Sequence, residues 1–324
     1  MDDRLLRFFF KRTNPELHLI LAKDLPVFSR RWGQGKAFDV MPHERPITSG
    51  PYVVDSMDLG KRIAFKRVED YWADALPVRR GTFNFERVVF KYFRDEVARL
   101  EAFKAGEFDW LFENSARNWT RGHVGARYRS GEIVKRNFPH SNVSGMQGYA
   151  LNTRRPLFKD VRVREALALA IDRDAIQKAV MRGLSSPTGM LAAPFVNGYT
   201  KALAAYPKAD PARARKLLAE AGYPEGFTLT LDAPNDRYVN DEAIATAVAG
   251  FLARIGVKVT VQARPFALHN ALLTKGDSDF YLYGWGVPTH DSAYVFDYLV
   301  HTRGKNRLGT WNITGYSNPQ LDAQ

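Results

Sequence analysis

Apolar residues recur along this chain at two spacings, one typical of helices and one typical of strands. The helical spacing is clearest between residues 160 and 172, where it predicts a core-facing helix. The apolar stripe of this helix is formed by Val163, Ala166, Leu167, Ala170 and Ile171. Asp160 stands where an N-cap carboxylate accepts the first amide protons of the helix, and Asp172 does so for a second helix that stops at Gly183. Neither helix carries an evident reactive group, so the pair is predicted to be scaffold.

Strand and helix spacings alternate regularly after about residue 140. Apolar and polar residues alternate at 227–232 and again at 257–261, which predicts two strands. A helical stripe lies between these segments, and another helix is predicted at 266–275, before an apolar strand at 280–283. Strand–helix–strand alternation with short connections predicts a parallel α/β sheet with right-handed crossovers.

The first part of the chain predicts shorter and mostly local elements. Two apolar segments, at 5–12 and 17–22, are predicted to be strands on either side of a turn at Asn14-Pro15. A hairpin is predicted around Gly60. The remaining predictions are a strand at 85–93, a helix at 95–105, a returning strand in the segment that ends at residue 113, and a surface excursion at 114–138.

Composition limits the possible functions of the 324-residue chain. It has no cysteine, which excludes disulfides, thiolate metal sites and a cysteine nucleophile. No apolar run is long enough to cross a bilayer, and acidic residues directly follow Met1, so neither a membrane span nor a signal peptide is predicted. The net charge of +12 suggests an alternative function, a cationic module that binds nucleic acid or an anionic surface. The basic residues are spread out, which favours a generally cationic protein.

Sequence motifs of several enzyme classes are absent from the chain. Its seven histidines form no HExxH pair, and no G-x-S-x-G, Walker A or G-x-G-x-x-G motif occurs. His290 and Asp291 are neighbours, but no nucleophile is identifiable beside them. The sequence therefore predicts a protein that is not an enzyme, with no metal and no cofactor.

The loop that follows the predicted strand at 280–283 is the main candidate for binding chemistry. Ligands of open parallel sheets bind beyond the carboxyl ends of the strands. Trp285 offers a large rigid face with one donor, and Asp291 would hold a cationic group such as a peptide ammonium. Alternatively, Trp285 fills the core and Asp291 caps the next helix. The candidate substrate-binding residues of this segment are Tyr283, Trp285, Gly286, Thr289 and Asp291.

A second candidate segment, at 139–149, leads from small and polar residues into a strand. Its candidate substrate-binding residues are Asn142, Ser144, Met146 and Tyr149. The alternative for this segment is an ordinary polar loop without a binding role.

The segment PLFKDVRVREALALAIDRDAI, at 156–176, closely resembles a recurrent segment of the bacterial extracellular solute-binding proteins of family 5. These are the peptide-, dipeptide- and nickel-binding receptors of ABC importers. Thr48–Tyr52 resembles the family's GTGPY turn, Tyr71-Trp72 its YW pair and Tyr316–Asp322 its YSNPELD segment. The stretches FENSARNW and PHSNVSGMQGYALNTRRPLF are similar to the oligopeptide receptors that include the microcin C importer's binding protein. The chain is identified as a member of family 5, nearest to that subfamily.

This resemblance implies an α/β fold with two lobes, the class II, cluster C type of periplasmic binding protein. It implies that residues 1–140 are a partial first lobe, with the hinge crossing near its end, and that residues 141–324 are the second lobe. Family members carry a signal peptide and a long upstream portion, and they return into the first lobe after the YSNPELD segment. Both parts are missing here, so the chain is expected to be a truncated fragment.

The resemblance also implies a function, which is to bind oligopeptides in a cleft between the lobes and to deliver them to the permease subunits of an ABC importer in the inner membrane. A periplasmic monomer without a nucleic-acid partner is expected. Trp285 matches a family tryptophan that lines the ligand pocket, and Asp291 matches a mainly structural aspartate. Pro288 stands where peptide receptors carry the aspartate that pairs with the peptide amino terminus, so either another carboxylate takes that role or the ligand differs.

Overall fold

A computed structural model of the protein describes residues 5–11, 16–37, 44–113, 115–139, 142, 145–304 and 308–323. The chain forms two units. The small unit consists of Leu21–Phe112, and the large unit consists of Met1–Ile20 together with Glu113–Gln324. The expected lobe boundary at residue 140 stays a prediction.

The small unit contains an antiparallel sheet of three strands in the order β1–β2–β3. Its elements are β1 (Tyr52–Asp58), β2 (Arg62–Arg67), a 3₁₀ turn (Pro77–Arg79), β3 (Arg87–Lys91) and helix α2 (Glu96–Ala105). β1 and β2 form the predicted hairpin, and Gly60 in its turn has φ 76°, a value that a side chain would strain. Asp95 caps α2 by accepting the amide of Ala98 at 2.8 Å, and the helix ends at Gly106. The predicted hairpin and helix are confirmed.

Three strand predictions in the first 113 residues are wrong. Residues 17–22 belong to helix α1 (Leu17–Asp24), and residues 5–10 form neither strand nor helix. A continuous apolar run has no period that separates helix from strand, and leucine favours helices. The segment behind Gly106 is not a strand either, and Phe108 there packs its ring 5.3 Å from those of Phe93 and Phe103. The predicted turn at Asn14-Pro15 lies outside the described residues.

The large unit contains a sheet of four strands in the order β4–β7–β5–β6. The strands are β4 (Met146–Leu151), β5 (Thr228–Pro234), β6 (Lys258–Arg264) and β7 (Phe280–Trp285). β5 runs parallel to β6 and β7, whereas the edge strand β4 runs antiparallel to β7. The sheet is therefore mixed, which corrects the prediction of a wholly parallel sheet. Alternation of polarity determines which face a residue occupies, but it does not determine the direction of a strand.

Helices cover both faces of this sheet. The α-helices of the large unit are α3 (Ala126–Arg129), α4 (Pro156–Lys159), α5 (Val161–Ala170), α6 (Arg173–Ala175), α7 (Pro211–Glu220), α8 (Asp241–Ala253), α9 (Phe266–Lys275), α10 (Ala293–Val295) and α11 (Pro319–Asp322). Three π-helical turns, Asn118–Gly122, Ile176–Val180 and Phe296–Val300, accompany them. The main core lies between α5, α7, α8 and one sheet face, whereas α9 packs Leu273 near Tyr281 on the other. Within the described ranges, no helix is both long and apolar enough to cross a bilayer.

The helix pair at 160–183 is part of the scaffold, as predicted. The apolar stripe of α5 is buried in the main core, and Leu167 is almost fully enclosed. Asp160 accepts the amide of Arg162 at 2.8 Å, and Asp172 accepts the amide of Ala175 at 2.9 Å. Both predicted caps are therefore present, and they fix where the two helices begin.

Candidate ligand-binding site

A pocket opens at the carboxyl ends of the three parallel strands of the large unit. Because β5, β6 and β7 run in one direction, their carboxyl ends meet at one edge of the sheet, where ligands of such sheets bind. The volume of this strand-end pocket is about 260 Å³, which suits one side chain or terminal group of a ligand. The lining residues are Arg237, Tyr238, Phe266, Tyr283, Gly284, Trp285, Gly286 and Tyr294.

Strand pairing brings the two predicted binding segments side by side. β4 and β7 pair so that Met146 lies directly opposite Trp285. Opposed residues project from the same face, and Tyr283 shares that face because it precedes Trp285 by two positions. Tyr149 projects from the other face, where its ring lies 5.5 Å from that of Phe280 at the main core. The structure therefore groups Met146 with Tyr283 and Trp285 but separates Tyr149 from them.

Trp285 is the centre of an aromatic cluster. Its ring centroid lies 6.3 Å from that of Tyr283, 5.9 Å from that of Tyr294 and 6.2 Å from that of Trp311. Its indole Nε1–H is buried and has no acceptor among the residues that the structure describes. A buried donor without an acceptor costs roughly 1–3 kcal/mol.

Gly284 allows the Tyr238 ring to approach the sheet closely. A Cβ atom at Gly284 would lie 2.5 Å from Cε1 of Tyr238, which is closer than real Cβ contacts. Burial raises the pKa of the Tyr238 phenol, and a hydrogen bond with the Gly284 main chain partly offsets this effect. Burial, followed by the nearby Tyr238, raises the pKa of Tyr283 to about 12. Both phenols are therefore neutral hydrogen-bonding groups at physiological pH.

One positive charge is held at the pocket wall. The Arg237 guanidinium lies 5.7 Å from the ring centroid of Tyr238 and 5.3 Å from that of Phe266. The loop that carries it is anchored by Asp241, which accepts the amides of Arg237 and Tyr238 at 3.1 and 3.0 Å. Asp236 accepts the Phe266 amide at 2.7 Å, at the start of α9. Among the described residues that line the pocket, Arg237 alone carries a formal charge at neutral pH.

Asp291 and Thr289, which were predicted to bind ligand, are not among the residues that line the pocket. Asp291 accepts a hydrogen bond from the Asn197 amide group at 2.6 Å and another from the Ala293 amide at 2.9 Å. This geometry matches the helix-cap alternative. Thr289 is buried near Glu16, and burial raises the pKa of the Glu16 carboxyl.

Three of the predicted binding residues line the strand-end pocket, namely Tyr283, Trp285 and Gly286. Asn142 is exposed and is not a lining residue. Ser144 lies outside the described residues. The binding roles of all nine residues stay predictions, and the geometry favours the three that line the pocket.

Five lining residues were not among the predicted binding residues: Arg237, Tyr238, Phe266, Gly284 and Tyr294. Arg237 and Tyr238 follow the carboxyl end of β5, and Phe266 follows that of β6. The strand-end rule that pointed to Trp285 applies equally to these two strands, so it was the available signal. Tyr294 reaches the pocket through the return of the chain at α10, for which periodicity gives no signal.

A larger cavity of about 430 Å³ lies elsewhere in the large unit, with Thr230, Asp232 and Arg264 among its lining residues. Asp232 accepts hydrogen bonds from Arg264 at 2.7 Å and from the Ser278 hydroxyl at 2.5 Å. The two charged groups of this cavity, Asp232 and Arg264, therefore already pair with each other. The strand-end pocket combines aromatic walls with an unpaired buried donor, so it is the better candidate for a ligand.

Comparison with known proteins assigns the chain to a family. Residues 1–307 match the model described as bacterial extracellular solute-binding proteins, family 5 Middle. The chain belongs to this family. The predicted membership is confirmed, whereas the proximity to the microcin C-type subfamily stays a prediction. Family 5 is a family of binding proteins, and its description places its members outside the cytoplasm.

Individual relatives support the assignment. A Brucella suis protein described as a binding protein is 27% identical over 364 residues, which cover 99% of this chain and 59% of the relative. The chain thus spans about three fifths of the length of the curated relatives that it matches across its full extent.

Solved structures of similar proteins confirm the fold class. The PBP AgaA from A. tumefaciens R10, in complex with agropinic acid, has a TM-score of 0.66 at 26% identity, covering 86% of this chain and 54% of AgaA. The periplasmic binding protein DppA from Helicobacter pylori, in complex with peptide STSA, has a TM-score of 0.65 at 19% identity. The match covers 86% of this chain and 51% of DppA. The predicted class, α/β of the class II periplasmic binding protein type, is confirmed.

Proposed function

We propose that this family 5 protein is the substrate-binding component of an ABC importer and that it binds oligopeptides or peptide-like molecules at the strand-end pocket. The observation that carries the proposal is Trp285, a half-buried indole at the carboxyl end of a parallel strand, with a buried donor that lacks an acceptor among the described residues. Aromatic walls supply apolar contact area, and a few placed polar groups orient the ligand.

A peptide has the groups that this pocket requires. Its carbonyl and carboxylate oxygens accept hydrogen bonds, which suits the indole N–H of Trp285 and the guanidinium of Arg237. The pocket volume of about 260 Å³ admits one residue of a peptide, so the remaining residues would lie outside it. Peptide-like molecules are included because AgaA, which is similar in structure, was solved with agropinic acid.

The setting of this activity is part of the proposal. We place the protein in the periplasm as a monomer that delivers its ligand to the permease subunits of the inner membrane. It has no catalytic role and no nucleic-acid partner in this proposal. The family description, extracellular solute-binding proteins, supports this setting.

Isothermal titration calorimetry of the purified chain against a set of tripeptides tests the proposal. At least one tripeptide is expected to bind, and Trp285→Ala is expected to weaken it by about tenfold or more, because the substitution removes both contact area and a donor. Trp72→Ala is the matched control, since Trp72 is exposed in the small unit and its indole already donates to the Ser49 carbonyl at 2.8 Å. The Trp72→Ala variant is expected to bind the tripeptide with the same affinity as the parent protein.

The alternative of a cationic module has a different signature. It requires that no tripeptide binds and that a DNA duplex binds with an affinity that falls steeply as salt is raised. That combination would refute the receptor proposal.

A further inference from the structure

We infer that the strand-end pocket recognises an anionic group of its ligand, specifically a carboxylate, and not the ammonium group of a peptide. This inference rests on the proposed ligand-binding function and adds the chemical class of the group that the pocket accepts. It follows from the hydrogen-bonding character of the lining residues, from the position of Arg237 and from the way the neighbouring carboxylates are used.

The two polar groups that distinguish this pocket are both hydrogen-bond donors. The Arg237 guanidinium donates and never accepts, and the same is true of the Trp285 indole N–H. The lining phenols can donate or accept, so they do not discriminate between ligand groups. A carboxylate is a partner for such donors, whereas an ammonium group, which only donates, is not.

The aromatic walls would attract a cation if their faces were free, because a cation over an aromatic ring is stabilised. Arg237 already occupies that position at two of the aromatic walls, 5.7 Å from the ring centroid of Tyr238 and 5.3 Å from that of Phe266. A second cation in the pocket would be repelled by the guanidinium. The same interaction favours an anion.

The nearby carboxylates do not reverse this preference. Asp241 and Asp236 are not lining residues. Each accepts a hydrogen bond from a main-chain amide, Asp241 next to the start of helix α8 and Asp236 at the start of helix α9. These carboxylates are therefore used to anchor the loops. Helix α9 begins at the lining residue Phe266, and the positive end of its dipole adds to the potential there. The lining residues that the structure describes include no carboxylate that would pair with a ligand ammonium.

Three forms of one tripeptide separate the possibilities: Ala-Ala-Phe, its C-terminal amide and its N-acetyl form, each titrated calorimetrically into the folded chain. The free acid and the N-acetyl acid are expected to bind with similar affinity. The amide is expected to bind about tenfold more weakly, because it lacks the charge-assisted hydrogen bonds. Arg237→Gln is expected to weaken the two acids by about tenfold and to remove the difference between acid and amide.

Arg254→Gln is the matched control. Arg254 is exposed, and its guanidinium also lies over an aromatic ring, that of Phe251 at 5.1 Å, but it follows the carboxyl end of α8, away from the pocket lining. The substitution removes the same charge and is expected to leave all three affinities unchanged. Equal effects of the two substitutions would show that net charge, and not the pocket, selects the acid.

The outcomes distinguish this inference from the function on which it rests. If the amide binds as tightly as the acid, or if N-acetylation alone abolishes binding, the pocket does not select a carboxylate and the inference is wrong while the binding function stands. If none of the three peptides binds to a chain that circular dichroism shows to be folded, the inference fails together with the proposed peptide-binding function.

Discussion

The contact between Gly284 and Tyr238 provides a direct test of how the strand-end pocket is built. In Gly284→Ala the added methyl group would lie 2.5 Å from Cε1, 2.9 Å from Cζ and 3.0 Å from Cδ1 of Tyr238. Ordinary contact between carbon atoms begins near about 3.5 Å, so the ring has to move by roughly 1 Å. The backbone at Gly284 is not among the positive-φ positions, so steric contact with the ring is the main cost.

The Tyr238 ring is not free to make this movement. Its backbone amide donates to Asp241 at 3.0 Å, and its ring packs edge-on against Phe266 with centroids 6.2 Å apart. Inserting a methyl group into such a packed position costs about 1–3 kcal/mol. We therefore expect Gly284→Ala to lower the free energy of unfolding by that amount and to weaken ligand binding, because Tyr238 forms part of the pocket wall.

Gly286→Ala is the matched control for this experiment. Gly286 lines the same pocket, but a Cβ atom there would meet nothing within 4 Å, and its φ is not positive. The free energy of unfolding of the Gly286→Ala variant is expected to differ from that of the parent protein by less than about 0.5 kcal/mol. Urea unfolding followed by tryptophan fluorescence measures both variants, and the double variant Gly284→Ala/Tyr238→Ala shows whether removing the ring removes the clash. Equal stability of Gly284→Ala and Gly286→Ala would refute the argument that Tyr238 is fixed against the strand.

Three further predictions concern the scaffold and its response to pH. Leu167→Asp is expected to unfold the large unit by placing an unpaired charge in the core, and a variant that kept its circular dichroism spectrum would contradict the scaffold role of α5. Burial lowers the pKa of His269, so the unfolded state takes up this proton first as the pH falls below about 6.5. The contribution of His269 to stability is therefore complete above that pH and decreases on acidification. Urea midpoints from about pH 7.5 to about pH 5 should show this loss, with a smaller loss in His269→Gln. Asp241→Asn is expected to cost about 1–3 kcal/mol, because Asp241 accepts the amides of Arg237 and Tyr238 on Oδ2 and that of Glu242 on Oδ1, whereas Asn has only one acceptor oxygen. Asp55→Asn, which removes an exposed ion pair with Arg87, should cost less than about 1 kcal/mol in the same urea assay.

The scaffold was predictable where burial repeats within one element. Val163, Leu167 and Ala170 lie on one side of α5 because their spacing matches the helical period, so their burial could be deduced from adjacent sequence. The segment at 17–22 was mispredicted because five of its six residues are apolar, and such a run carries no such period. The spacing of apolar residues therefore predicted the elements that bury one face, and it did not predict elements whose apolar residues form a continuous run.

The pocket was only partly predictable because its residues come from separate strands. Trp285 was found because it stands at the end of a predicted strand, and the strand-end rule applies to it directly. Its proximity to Arg237 and Phe266 depends on the strand order β7–β5–β6, in which β5 lies between the two strands that follow it in sequence. That order is set by the packing of the whole unit, and the spacing of apolar residues does not contain it.

In the proposed recognition of a carboxylate, the local arrangement at the pocket, and not the net charge of +12, determines which ligand group the protein prefers. The carboxylates of Asp236 and Asp241 are used to anchor loops, so the guanidinium of Arg237 acts on the ligand. A ligand carboxylate held at one such group loses little affinity as salt rises, because a single ion pair is involved. A nucleic acid bound through the dispersed basic residues would lose affinity with a slope close to the number of phosphates contacted. The salt dependence of binding therefore reports which of the two charge distributions the protein uses, even before its natural ligand is identified.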